Sequence, residues 1–454
     1  MKTPICEFVE QYAREGNLRL HMPGHKGIPF LGVEDRDITE VEGADVLYHA
    51  DGIIAESQNN AATLFESGRT LYSTEGSSLC IRAMIYLLSL QAKKEGKRPL
   101  ILAARNAHKT FMSAIALVGA DVEWLYPDEE DNLISCPISA EKLEGRLAEL
   151  GEMPTALYLT CPDYLGFVSD IRALSEVCRK HGILLAVDNA HGAYLKFLPE
   201  SRHPVDLGAD ICCDSAHKTL PVLTGGAYLH VSKNAPRLFF DMAEQAMALF
   251  ASTSPSYLIL QSLDRANRYL FEGCAEKLAV AAEQVRELKK QLIENGFVLL
   301  GDEEMKLCIK AKEYGYFGYE MAEQLAKDGL VCEFCDRDFV VMMLTPELGG
   351  EATDRILHSL LSLPKKERIC EVAPRVGRPA VAMSVREAVM SPSCEIPADT
   401  ACGRVLATAN VSCPPAIPIL VCGERIDEKA IECLCYYGIE KCRVVDGGDY
   451  EEGI

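Results

Sequence analysis

Short apolar runs separated by amphipathic stretches fill the middle of this chain. Leu100-Ile-Leu-Ala-Ala104, Thr155-Ala-Leu-Tyr-Leu-Thr160 and Ile183-Leu-Leu-Ala-Val-Asp188 show no alternation and are too short for buried helices. They read as strands covered on both faces. Between Gly76 and Val231 the pattern predicts helix 78–94, strand 99–104, helix 108–118, strand 121–126 and helix 139–150. Strand 155–160, helix 170–181, strand 183–188 and strands 209–215 and 226–231 follow. Strands alternating with helices imply an α/β fold around a mostly parallel sheet. Such sheets bind ligands beyond the carboxyl ends of their strands.

After residue 231 the pattern changes. A long polar–apolar helix at about 275–295 marks the exit from the large domain. Strands at Lys306–Lys310 and Phe339–Met343 then mix with helices at Tyr319–Ala326 and Thr353–Leu363, as in a smaller α/β domain. Lys365-Lys-Glu-Arg368 is a charged connector, and a final unit carries the apolar run Ile417–Val421 and a helix near 427–437. The expected division is an N-terminal segment 1–50, a large domain 51–274, a small domain 275–364 and a C-terminal domain 365–454.

Composition narrows the partners. With 67 acidic and 46 basic side chains in 454 residues, the net charge is −21. No basic run offers a footprint for nucleic acid. No stretch of about 18 apolar residues suggests a membrane span. The N-terminus has acid early and no signal-peptide core, so a cytoplasmic location is expected. The 19 cysteines, an odd number, read as reduced thiols. Cys332-Glu-Phe-Cys335 lacks a second pair at zinc spacing and reads as small residues buried in a strand, as do Cys212-Cys213 and Cys433-Leu-Cys435. No metal site is expected.

The chemistry concentrates at strand ends. Asp188 ends one apolar run in Asp188-Asn-Ala-His-Gly-Ala193, and Lys218 follows another in Ser215-Ala-His-Lys-Thr-Leu220. Pyridoxal 5'-phosphate requires this pair of residue types. A lysine amine forms a Schiff base with its aldehyde, and a carboxylate keeps its ring nitrogen protonated. Gly76-Ser77-Ser78 opens a helix, where backbone N–H groups and hydroxyls suit a phosphate. His108, in Arg105-Asn-Ala-His-Lys-Thr110, follows a strand and opens another helix. Its imidazole there could lie flat on a cofactor ring. Thr160-Cys-Pro-Asp-Tyr-Leu-Gly166 likewise follows a strand.

Taken in order, these segments resemble the ornithine/lysine/arginine decarboxylase family of fold-type-I pyridoxal-phosphate enzymes, in its shorter bacterial form. Leu20-His-Met-Pro-Gly-His-Lys-Gly27, Asp37-Ile-Thr-Glu-Val41 and Thr253-Ser-Pro-Ser-Tyr-Leu258 extend the match. The resemblance implies an aspartate-aminotransferase-like large domain. It implies Lys218 as the cofactor-bearing lysine, Asp188 as the ring-nitrogen partner and His108 as the stacking ring. It further implies Gly76, Ser77, Ser78, Ser215 and His217 at the phosphate, with Ser254 reaching across from a second subunit. His191 and Thr160 would line the cofactor pocket, and His21 to Lys26 would sit near the substrate entrance. The family pattern begins by residue 20, so no receiver-like wing is expected. A homodimer or higher homo-oligomer follows.

Several positions depart from the family pattern. Asn189 stands where glutamate is usual, Ala216 where threonine is, and Glu75 where asparagine is common. Ala407-Thr408 and Ser412-Cys413-Pro-Pro-Ala416 replace an Ala-Glu pair and a tyrosine-bearing turn. These changes are expected to alter the substrate end, and those at 407–408 and 412–416, which remove a carboxylate and a phenol, to weaken binding of a cationic side chain. The reading is a decarboxylase of a basic amino acid, giving an amine and CO2. The alternatives are an aminotransferase or lyase on another amino acid, or a catalytically altered paralogue.

Overall fold

The computed structural model describes residues 1–127, 132–408, 412–413 and 417–446. A seven-stranded sheet is built from β1 (Arg69–Ser73), β2 (Leu100–Ala104), β3 (Asp121–Leu125), β4 (Ala156–Thr160), β5 (Leu184–Asp188), β6 (Ile211–Asp214) and β7 (Ala227–Val231). Their spatial order is β1-β7-β6-β5-β4-β2-β3. The run from β3 through β6 is parallel, and β7 runs antiparallel to both β6 and β1. Every residue of β2 and β7 is buried, as helices on both faces require.

The chain steps outward from β2 to β3 and then returns to β4 on the other side of β2. That reversal opens a crevice at the carboxyl ends of β2 and β4. Helix Gly76–Lys94 follows β1 and is buried nearly all round by Leu79, Ile81, Met84, Ile85, Leu87 and Leu88. It packs between helices Lys109–Val118 and Arg237–Phe250. Helix Ile171–His181 keeps a polar outer face. The Asp170 carboxylate caps it by accepting from Ala173 N, and Gly182 at φ 67° ends it.

A second sheet is antiparallel throughout, in the order β10 (Phe334–Cys335), β11 (Phe339–Met343), β9 (Lys306–Lys310), β8 (Leu299–Leu300). Helix Cys274–Glu294 leads into it. Near the C-terminus, strand Ser393–Pro397 pairs with Lys441–Val445. One apolar cluster joins Leu165 from the loop after β4, Cys308 and Val341 from the second sheet, and Leu406, Leu420 and Leu434 from the C-terminal region.

Some elements differ from the sequence expectation. β1 and the helices Pro4–Arg14, Ile53–Phe65, Arg237–Phe250 and Tyr257–Phe271 lay outside the predicted set. β1 begins Arg69-Thr-Leu and is too short to show a period on its own. Cys433 and Cys435 lie on helix Glu428–Tyr436 rather than a strand, the first buried and the second exposed. Cys332 precedes β10, and both it and Cys335 are half-buried.

Candidate active site

Loops leaving β2, β4, β5 and β6 converge with the start of helix Gly76–Lys94 on one cleft of about 340 Å³. Gly76, Ser77, Ser78, His108, Thr160, Asp188, His191, Ser215, His217 and Lys218 all line it. Positions spread over 143 residues of sequence meet because each lies at the carboxyl end of a strand or the amino end of a helix.

At the floor, Asp188 is 2% exposed. Its Oδ1 accepts from Ala190 N at 3.2 Å, and Tyr158 donates to Oδ2 at 3.4 Å. Burial pushes its carboxyl up while the Lys218 amine pulls it down. A cation seated against it would relieve the burial penalty. Lys218 Nζ lies 3.0 Å from His191 Nε2, and burial lowers its pKa against the opposing pull of Asp188. His108 caps helix Lys109–Val118, its Nδ1 accepting from Thr110 N at 3.2 Å. Burial first, then the Lys218 charge, brings the His108 pKa down to about 4, so its ring is neutral near pH 7.

The other end of the cleft gathers small donors. Ser215 donates to Ser77 Oγ at 2.9 Å, and Ser78 lies 3.2 Å from Thr110 Oγ1. His217 Nδ1 sits 2.9 Å from Gly226 O, and Gly76 N donates to Gly225 O at 2.7 Å. Gly225 has φ +100°, and a Cβ there would stand 2.8 Å from Thr74 O, so glycine is required for this close crossing. Around Gly76 the space is open, with nothing within 4 Å of a Cβ position.

Asn189, expected at the substrate end, instead turns into the core. Its Nδ2 donates to Asp214 Oδ1 at 2.7 Å. Asp214 Oδ2 lies 3.0 Å from His203 Nε2 and 3.2 Å from His230 Nε2, and all three side chains are fully buried. Burial alone would raise the Asp214 carboxyl, but the two imidazoles override it and hold it well below the usual carboxylate range. Val205 N points at His203 Nδ1 at 3.4 Å, so the His203 proton is on Nε2 and donates to Asp214. The convergence of these three groups is therefore a hydrogen-bonded network, although its residue types are those of metal ligands.

Other predicted residues lie elsewhere. Ser254 is on an exposed turn outside the cleft, next to Ser252, whose N–H donates to Glu75 at the cleft rim. None of His21 to Lys26 lines the cleft; His21 contacts Tyr12, and His25 contacts Asp37. Thr408 is half-buried away from it, and its Oγ1 has no partner among the described residues. Cys413 belongs to strand Ser412–Cys413, but its side chain and residues 414–416 lie outside the described residues. Tyr164, Thr224, Gly225 and Ile417 also line the cleft. The Gly225-Gly226 pair was the available signal for a close crossing; Ile417, from the far end of the chain, carried none. Arg105 donates to Glu424 at 2.9 Å and to Ile419 O at 3.2 Å, fastening the C-terminal region beside the site.

Pyridoxal phosphate fits this donor set. Thr160 Oγ1 is a buried polar atom in the cleft with no partner among the described residues, an opening that a ligand oxygen would satisfy. The hydroxyls and the helix start suit a phosphate, Asp188 a protonated ring nitrogen, and the lysine an aldehyde.

The comparisons agree. The profile for the major domain of Orn/Lys/Arg decarboxylase matches residues 3–300. The uncharacterized YaaO protein of Bacillus subtilis (strain 168) is 30% identical, over 96% of this chain and 94% of its own. An arginine decarboxylase of the same organism is 28% identical, over 95% of this chain and 92% of its own. Among solved structures, the Francisella novicida lysine decarboxylase LdcF superposes with a TM-score of 0.76 at 16% identity, covering 98% of this chain and 81% of its own.

Proposed function

Since the chain belongs to the Orn/Lys/Arg decarboxylase family of pyridoxal-phosphate-dependent lyases, we propose that it removes the α-carboxylate of a basic amino acid as CO2 and leaves the amine. The observation that carries this reading is the cleft itself, with Lys218, Asp188, His108 and the Ser77, Ser78 and Ser215 hydroxyls on one surface. Bound pyridoxal phosphate supplies an electron-accepting ring against which a bond to the substrate α-carbon can break.

The side chains do the rest. Lys218 Nζ holds the cofactor and afterwards carries a proton back toward the α-carbon, with His191 Nε2 beside it at 3.0 Å. Asp188 keeps the ring nitrogen protonated. The neutral His108 ring packs on the cofactor without adding charge, and Ser77, Ser78, Ser215 and His217 bind the phosphate. Glu333, which accepts from Tyr164 at 3.0 Å, puts a carboxylate beside a cleft-lining ring and favours a cationic substrate.

The active unit is a homodimer. The N-terminal segment leaves Leu18, Leu20, Phe30 and Leu31 between 79% and 88% exposed, which suits a face covered by a second copy. Ser254, outside its own cleft, would serve the partner's. The cysteines of the described residues are free, in keeping with a cytoplasmic enzyme whose amine product suits polyamine synthesis.

The test is to incubate the purified holoenzyme with arginine, lysine, ornithine and neutral amino acids while following CO2, amine and keto-acid products. CO2 with stoichiometric amine from a basic amino acid is expected. A keto acid without CO2 would replace this reading with a transaminase.

A further inference from the structure

A buried ion pair stands behind the cleft, and the chemistry above does not use it. Lys306 opens β9 in the second sheet, yet its side chain is 1% exposed and reaches the site of the first. Its Nζ lies 2.8 Å from Glu303 Oε2, 3.0 Å from Asp163 O and 3.3 Å from His191 Nδ1. Asp163 O and His191 Nδ1 lie within hydrogen-bonding geometry of this ammonium, and Glu303 pairs with its charge. Glu303 is equally buried, and Tyr194 donates to its other oxygen at 3.0 Å.

The proton positions follow in sequence. Lys306, paired with a carboxylate, is charged and has no lone pair, so His191 Nδ1 must accept from it. An imidazole that accepts at Nδ1 carries its proton on Nε2. That Nε2 faces Lys218 Nζ at 3.0 Å. A donor N–H facing an amine nitrogen requires a lone pair there, so this tautomer of His191 favours the uncharged form of Lys218.

We propose that Lys306 is a positioning residue: it fixes the Nε2-protonated tautomer of His191, which in turn holds Lys218 as a free amine competent to capture the cofactor. The proposal rests on the reading that Lys218 carries the cofactor. On capture, the amine lone pair bonds to the aldehyde carbon, and the aldehyde oxygen departs as water with the two amine hydrogens. Burial disfavours charge on both Lys218 and His191, and the Lys306 charge presses each the same way. Asp188 and Glu333 pull Lys218 toward its charged form, and Cys213 does so more weakly. His108 and His217 also face His191. Without Lys306, the carboxylates gain ground and the tautomer is no longer fixed.

The test uses the full-length protein in two ways. First, 15N shifts of imidazole-labelled, cofactor-free protein, assigned against His191→Gln, should show His191 protonated at Nε2 and bare at Nδ1. A proton on Nδ1 overturns the proposal without any Lys306 variant. Second, the growth of the visible cofactor band after adding pyridoxal phosphate is followed against pH. Lys306→Met should move the midpoint of capture up by about one pH unit, roughly tenfold slower capture near neutrality. Lys306→Arg, which keeps the charge and the donors, should restore most of the rate. A Met variant with the wild-type midpoint overturns the proposal. Failure of wild-type capture would instead remove the Lys218 reading, and normal capture without CO2 release would remove only the decarboxylase reading.

Discussion

Asn189 donates to Asp214 across 2.7 Å, at a position where the family pattern carries glutamate. The carboxylate in this network comes from Asp214 at the end of β6, and the loop after β5 supplies the amide. Asn189→Glu would set a second buried carboxylate against Asp214, whose remaining oxygen already serves His203 and His230. A loss of at least about 2 kcal/mol is expected in urea unfolding. An unchanged midpoint would show that the two side chains do not face each other.

Lys218→Ala should abolish the visible band of lysine-bound cofactor after dialysis while far-ultraviolet dichroism stays native. Borohydride reduction of the wild type followed by peptide mass analysis should place the pyridoxyl group on Lys218. A label on Lys306 or Lys109 instead would move the site.

Asp188→Asn keeps the size of the side chain and removes its charge. Turnover should fall by about 100-fold or more, because an amide cannot hold the ring-nitrogen proton. Cofactor retained through gel filtration should change little, since the phosphate and the lysine still hold it. Near-normal turnover would mean that Asp188 is not the ring partner.

Acid sensitivity should trace in part to His108. Its folded pKa is about 4 against 6.5 when unfolded, so below pH 6.5 the unfolded chain takes up the proton first. This contribution is present above pH 6.5 and is lost as pH falls toward 4. Raised carboxyls such as Asp163 and Asp264, each about 6, act oppositely over part of that range but are common to wild type and variant. Urea midpoints at pH 7 and pH 5 should therefore drop less for His108→Gln than for the wild type. An equal drop would mean that His108 is protonated in the folded protein.

Sedimentation should find a dimer as the smallest active species. Leu31→Glu, at a residue 88% exposed in the single chain, should shift the population toward monomer and lower activity with it. A fully active wild-type monomer would detach Ser254 from any role in a neighbouring site.

The gathering of these residues on one cleft was legible because they sit in short motifs at element boundaries. Asp188 ends an apolar run, Ser77 starts a helix, and His108 follows a strand, so local pattern and chemistry point the same way. What could not be read were side chains whose meaning depends on distant partners. Lys306 is one of two lysines flanking an apolar strand, and nothing local distinguishes the buried one from the half-buried Lys310. Asn189 looked like a change at the substrate end because its partner, Asp214, is 25 residues away on the next strand. Ser254 lies on an exposed turn outside the cleft and none of His21 to Lys26 lines it, so for these motifs the single chain offers no partner in the cleft against which to read them.

The Arg105–Glu424 ion pair has a bearing on how this protein can be divided. The family profile stops at residue 300, yet from beyond it Ile417 lines the cleft, Lys306 contacts His191 and Glu424 holds Arg105 beside the site. Residues 3–300 therefore do not hold every group at the site. Grafting residues 3–300 onto a foreign tail would leave Arg105 without its carboxylate, His191 without its Lys306 contact and the cleft without Ile417.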